Sequence, residues 1–452
     1  MLSESVILWS AALLVAALIV LPYLWRFRRR IRKDRERKEE ASALGIDKPA
    51  AQFPYIDPTH CIGCGACVKA CPEGDVLGIV GGTAVVVNGL RCVGHARCEE
   101  ACPVGAITVG LGDLKSREDV PLLDEHHQTT VPGIYIVGEL GGLSLVRNAV
   151  FQGRQVVEHI AGPHPPGPPL LPGLRPAHTP LPGEGGEKPL DLVIVGAGPS
   201  GLSAGLTARA SGLSYVVLER EETLGGSLLH YPRRKMVLTQ PVDLPPWGSL
   251  DREEYAKEAL LDIFEGMVRD HSLEVRFGEP VQDVQREDGH FFIRSAGDTW
   301  RARAVVLALG RRGTPRKLGV PGEELSKVMY RLIDAEGYQG QKILVVGGGD
   351  SAAEAAIGLA RQPGNEVTLS YRREKLVRLK KKNQDALDCL LAEGKVKPLF
   401  SSQPTEITPG SVRLKVGSET VEVANDYVFV FAGGVPPFDF LKKIGVRFGG
   451  AG

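Results

Sequence analysis

DLVIVGAGPSGLSAGLTARASGLSYVVLER, residues 191–220, decides the fold of this chain. An apolar run at residues 192–195 enters a glycine turn, and an alanine- and leucine-rich helical pattern follows. A second apolar run at residues 215–218 then ends on Glu219. In such a strand–turn–helix–strand unit Gly196 permits the tight turn. Gly198 lets the backbone approach a pyrophosphate, and Gly201 lets helix and strand pack closely. The free N–H groups at the helix start favour phosphate. Glu219, 23 residues after Gly196, stands where an acid accepts hydrogen bonds from ribose hydroxyls. The fold class expected is therefore α/β, built on dinucleotide-binding units.

Working outward, the 452 residues exceed one hydrophobic core and imply several domains. Basic and acidic residues balance at 54 each, so nothing points to nucleic acid. A second fingerprint, KILVVGGGDSAAEAA at residues 342–356, places Gly347, Gly349 and Ala352 in the G-x-G-x-x-A positions after an apolar strand. The next strand ends in Tyr371, Arg372 and Arg373 rather than in an acid. Carboxylates favour the free 2′-hydroxyl of NADH, whereas arginines match the 2′-phosphate of NADPH, so NADPH is expected. The alternative is a solvated basic face.

Seven of the eight cysteines fall between positions 61 and 102. CIGCGACVKACP gives Cys61, Cys64, Cys67 and Cys71 before a proline, the C-x2-C-x2-C-x3-C-P run of an iron–sulfur site. CVGHARCEEACP repeats the spacing with Cys92, His95, Cys98 and Cys102, histidine standing at the second position. In a two-cluster arrangement the fourth cysteine of each run serves the other cluster. One 4Fe–4S cluster would take Cys61, Cys64, Cys67 and Cys102, and the second Cys71, Cys92, Cys98 and His95. The other reading makes His95 a loop residue beside a three-iron or absent second cluster. Residues 56–110 resemble a bacterial two-cluster ferredoxin, which implies a small α+β domain.

The N-terminus differs in character. Residues 6–25, VILWSAALLVAALIVLPYLW, carry no charge over 20 positions, and RFRRRIRKDRERK follows. This order predicts one N-terminal transmembrane helix (residues 1–25), then a basic juxtamembrane linker (26–55). The rest would be cytoplasmic, anchored to the inner membrane. A signal peptide would carry its basic region before the apolar core.

VPGIYIVGELGGLSLVRNAVFQGRQVVEHI, residues 131–160, reads as a short strand, a turn at Gly138–Glu139 and a helix. It resembles the segment that closes the flavin domain in thioredoxin-reductase-like flavoproteins. That resemblance implies FAD, with Glu139 in the place of an aspartate at the ribityl chain and the helix start near Asn148 aimed at the pyrimidine. LGGSLLHYP from Leu224, with Gly226, and the strand ending at Gly310 extend the resemblance, the former toward the bacillithiol-disulfide-reductase branch. In those families the closing segment is C-terminal; here it precedes the first fingerprint, and a proline-rich linker (162–190) joins the two. A circular permutation is expected, with residues 111–161 closing an FAD domain of 191–312 and 426–452 around an NAD(P)H domain of 313–425. A homodimer that swaps residues 131–160 is the alternative.

No cysteine lies in residues 328–341, where thioredoxin reductases carry a redox pair, so dithiol chemistry at the flavin is excluded. No acid–base residue stands out as catalytic. The expectation is a membrane-anchored NADPH-dependent flavoprotein oxidoreductase passing electrons between NAD(P)H, FAD and the clusters, to or from a redox carrier protein or small acceptor. Reduction of a small disulfide and a non-catalytic redox sensor are the other readings.

Overall fold

A computed structural model describes residues 4–43, 52–111, 118–141, 145–162, 188–311 and 313–450. The chain divides into two units, one of residues 1–112 with 377–382, the other of 113–376 with 383–452. The linker at 163–187 and residues 142–144 lie outside the described residues.

The first unit opens with α1 (Glu4–Ala43). The basic stretch expected as a linker is thus helical as far as Ala43, and its inner face returns every three or four residues: Asp34 and Ala41 are buried, Ile31, Arg37 and Lys38 half-buried. The transmembrane helix expected at residues 6–25 is not supported. The apolar run whose side chains are described without a break begins at Leu13 and meets Arg26, and among the described residues no helix is long and apolar enough to cross a membrane. After α1 come β1 (Gln52–Ile56), α2 (Ala66–Ala70), β2 (Leu77–Val80), β3 (Thr83–Val86), α3 (Arg97–Glu100) and β4 (Ile107–Leu111). β1 pairs antiparallel with β4, and β2 with β3. Val76, Leu77, Ile79 and Ile107 share their core with Cys67 and Cys98.

The second unit is built around two large sheets, with smaller two- and three-stranded ones beside them. In the first, β6 (Leu190–Val195), β7 (Tyr215–Leu218), β8 (Val275–Arg276), β9 (Asp283–Glu287), β10 (His290–Arg294) and β11 (Thr299–Leu307) run in the order β8-β7-β6-β11-β10-β9. β5 (Ile134–Ile136), from upstream of the linker, is the seventh strand: it lies parallel to β11, with Ile134 opposite Val305. β10 covers the first half of that edge of β11 and β5 the second. Helix α4 (Val146–Ala161) follows β5 and packs on α5 (Pro199–Ala210). The crossing is close: a Cβ on Gly153 would lie 2.2 Å from the Ser200 carbonyl oxygen, so only glycine fits there. Ser203 Oγ ties the pair by donating to the Val150 carbonyl at 2.7 Å.

The second sheet is wholly parallel, in the order β12 (Val328–Met329), β16 (Tyr427–Val430), β13 (Lys342–Val346), β14 (Glu366–Tyr371), β15 (Val396–Phe400). Parallel strands buried on both faces read as continuous apolar runs, which is why ILVV is legible in the sequence.

Candidate cofactor sites

The glycine turn after β6 is built by contact. The Gly196 N–H donates to the Leu218 carbonyl at 2.8 Å, and a Cβ on Gly201 would sit 1.8 Å from the Gly196 oxygen. Gly198 caps α5, with Pro199 next, so the N–H groups of the first turn point out of the helix toward an anion. Glu219 is 4% exposed, and its carboxylate accepts from the Ala197 N–H at 2.6 Å and the Glu221 N–H at 3.0 Å. These bonds fasten the acid to the turn that it serves.

A cavity of about 380 Å³ opens beside this turn. It is lined by Gly138, Glu139, Gly196, Gly198, Glu219, Gly226 and Gly310, which the structure brings together from both sides of the linker. Gly138 takes φ +80°, its N–H donates to Gln152 Oε1 of α4 at 2.8 Å, and a Cβ there would meet Ser200 Oγ. Gly201 lies behind the wall, as a packing position should. Leu145, Val146 and Ala149 bring the start of α4 to the same cavity. Sequence reading missed Ser200, Ser227, His230 and Glu279, which also line it. Glu279 Oε2 is buried without a hydrogen-bond partner, an acceptor left for a ligand. Such a glycine-lined cleft with an orphaned acceptor and a helix start fits FAD.

In the second sheet Gly347 follows β13, Gly349 caps α6 (Asp350–Ala360), and Ala352 is buried under the turn. Arg372 and Arg373 follow β14; both are exposed, and neither pairs with a carboxylate among the described residues. The Tyr371 ring lies on the backbone of Gly348, where a Cβ would come within 2.1–2.3 Å of it. That glycine is a close-approach position that the fingerprint spacing does not reveal.

The cysteines gather in two places. Cys61, Cys64, Cys67 and Cys102 line one cavity, and Cys71, Cys92, His95 and Cys98 line another. Among the described residues no three His, Cys, Asp or Glu side chains converge tightly enough for a lone metal ion. A cluster needs the opposite, with each ligand on its own iron around a shared void. Burial, then the neighbouring Cys71 and Cys92, push the Cys98 thiol up to about 11. Burial also raises Cys67, Cys71 and Cys92. Loading these sites must therefore release protons. At Cys102 burial works the same way but is outweighed by backbone N–H donors, Ala106 at 3.2 Å among them, and the thiol falls below its usual range. Cys61 Sγ similarly accepts from the Ala84 N–H at 3.3 Å. Amides aimed at sulfur fit the donor set of an iron–sulfur cluster.

His95 Nε2 stands 3.5 Å from Glu73 Oε1, which leaves Nδ1 for a metal, the usual carboxylate–histidine arrangement. If His95 ligates iron, His95→Cys keeps the iron content and lowers the potential of that cluster, while His95→Ala loses about four iron atoms per chain or leaves a three-iron cluster. Unchanged iron and spectra in both variants would remove it from the ligand set.

Residues 193–449 match the family model described as pyridine nucleotide-disulphide oxidoreductase. The chain belongs to that family. Residues 53–103 of the oxidoreductase match a 4Fe-4S dicluster domain. It is 30% identical over 270 residues to the ferredoxin–NADP reductase of Ignicoccus hospitalis, covering 58% of this chain and 82% of that one. Against the bacilliredoxin reductase Bdr of Bacillus subtilis the figures are 28%, 56% and 80%. Among solved structures, bacillithiol disulfide reductase Bdr from Staphylococcus aureus superposes with a TM-score of 0.53 at 27% identity, covering 57% of this chain and 80% of that one. The oxidoreductase thus uses FAD, NADPH and 4Fe–4S iron–sulfur centres. Cys389, on an exposed helix position, donates to Glu393 Oε1 at 3.2 Å, and that hydrogen bond raises its thiol, a poor setting for a nucleophile.

Proposed function

We propose that this protein is a membrane-anchored, NADPH-dependent flavoprotein that passes electrons between NADPH and its own two iron–sulfur clusters, to or from a redox carrier. The observation that carries this reading is the pairing in one chain of an FAD cleft with two cysteine-lined cavities, and no redox dithiol beside the second fingerprint. FAD supplies the conversion that such a chain needs, since it accepts two electrons together and releases them singly. The protein's own groups position and polarise. The first turn of α5 holds the pyrophosphate, Glu219 takes ribose hydroxyls, and the α4 start sets a positive dipole end toward the flavin. The likeness to a ferredoxin–NADP reductase supports the carrier reading, and the likeness to bacillithiol disulfide reductase favours a small disulfide as the second candidate substrate.

We read residues 131–160 as the closing part of the flavin domain, moved ahead of it by circular permutation within the chain. β5 beside β11, and Gly138 and Glu139 in the cleft, support this. The anchor reading rests on the uncharged run and on the exposure of Leu13, Leu14, Leu18, Ile19, Leu21 and Trp25, apolar side chains that water does not favour. The clusters then face the cytoplasm on the basic side of the helix.

Purified enzyme should oxidise NADPH over many turnovers with an artificial one-electron acceptor. A single stoichiometric reduction would mark a sensor instead, and turnover confined to a small disulfide would favour the second reading. Replacing both Arg372 and Arg373 by alanine should raise KM for NADPH at least tenfold and leave NADH nearly unchanged. A hydrogen bond to a charged group is worth about 1.5–3 kcal/mol, and about 1.4 kcal/mol is tenfold. Equal effects on both nucleotides would make the arginines mere surface charge.

A further inference from the structure

We infer that the second half of α1 is a rigid stalk that holds the iron–sulfur unit in one fixed orientation on an anionic lipid surface. This rests on the membrane-anchored reading and goes beyond it, because an anchor alone needs only a flexible tether.

The stalk is joined to the unit by a buried carboxylate. Asp34, 5% exposed, accepts from the Ile79 N–H of β2 at 2.9 Å. It comes close enough that a Cβ on Gly78 would lie 3.0 Å from its carboxyl carbon. Arg37 sits 3.6 Å from Asp34 and also pairs with Asp75, to which the buried Arg91 donates at 2.8 Å. Burying a carboxylate is costly unless it is hydrogen-bonded and paired. Here both conditions hold, and one register of helix against hairpin satisfies them. Ala41, two turns on, is 2% exposed and extends the docked face.

Fixing β2 fixes the clusters. Leu77 and Ile79 share a core with Cys67 and Cys98, and Leu77 also lines the cavity of Cys71, Cys92 and His95. On the other side of Asp34 the helix continues without a break to the apolar segment. Asp34 lies nine positions after Trp25, about 14 Å of helix. Arg26, Arg28, Arg29, Arg30, Arg32 and Lys33 occupy that length and are exposed. Basic side chains within a Debye length of an anionic leaflet are drawn to it. Pro22 lies before the basic block, so a bend there tilts the stalk without loosening it from the unit.

The test is electron paramagnetic resonance of the dithionite-reduced clusters, with the full chain in oriented multilayers containing phosphatidylglycerol. A rigid stalk gives spectra whose features change amplitude as the membrane normal turns in the field. Asp34→Asn, which keeps an acceptor for Ile79, should retain that dependence. Asp34→Ala should lose it while still sedimenting with the membranes. If Asp34→Ala also loses iron, a glycine–serine insertion between Arg29 and Arg30 serves instead, since it leaves the docked residues intact and should abolish the dependence. Angle-independent spectra from membrane-bound wild type, or full dependence in Asp34→Ala or in the insertion variant, overturn the stalk. Release of wild type by alkaline carbonate overturns the anchor, and the stalk with it.

Discussion

Removing residues 1–162 should leave a colourless protein, whereas removing residues 1–112 should leave a yellow one that NADPH reduces. Both shortened chains keep the two glycine fingerprints, so they differ only in the segment that contains β5 and α4. The cut after residue 112 falls at the boundary between the two units and spares every strand of the flavin sheet. The cut after residue 162 strips β5 from the edge of β11 and lifts α4 off α5. Ile134, Ile136, Val137, Val150, Val156 and Val157, each no more than 1% exposed, go with the segment, and the apolar surface they cover is bared. At about 1.5–3 kcal/mol for each fully buried side chain, the loss is on the order of 10 kcal/mol, an upper bound that is comparable to the whole stability of a domain. Gly138, Glu139 and the start of α4 also leave the cavity wall. Stoichiometric FAD in the shorter chain would mean that residues 131–160 do not close the flavin site.

Gly201→Val should abolish FAD binding and leave the iron content unchanged. The first added carbon would lie 1.8 Å from the Gly196 oxygen and 3.3 Å from the Ala308 side chain, with backbone at the nearer contact that cannot rotate aside. Overpacking in a well-filled interior costs about 1–3 kcal/mol even where side chains yield. Here the turn itself must open, and with it go the N–H groups that face the pyrophosphate. The iron–sulfur unit has its own core and should keep its clusters. Absorbance of released flavin and colorimetric iron on one sample measure both halves of this expectation, and a variant that retains FAD would show that the turn does not hold it.

Much of this architecture was written in spacing. Glycines at 196, 198 and 201, and an acid at 219, mark a turn whose geometry admits few other residues, and the structure gathers all but the packing glycine at one cavity. The cysteine runs were equally legible, because a cluster fixes the intervals between its ligands. What escaped has no interval. Gly153 is needed only because α5 crosses above it, and Glu279 reaches the cleft from the loop after a two-residue strand. Tyr371 covers Gly348 from a neighbouring strand. The docked face of α1 was hidden for another reason: its central residue is Asp34, and an apolar periodicity does not register a buried carboxylate. The apolar start of α1 stands as sequence wrote it, although among the described residues no helix is both long and apolar enough to cross a membrane.

The most direct measurement is an anaerobic one on wild type and Gly201→Val side by side. NADPH is added, and electron paramagnetic resonance follows the clusters while absorbance follows the flavin. In wild type, bleaching of the flavin should be accompanied by the signal of reduced clusters. In Gly201→Val the clusters should stay silent with NADPH and yet appear in full with dithionite. Flavin that bleaches in wild type while the clusters stay oxidised, or clusters that NADPH reduces equally well without FAD, would contradict the proposed route.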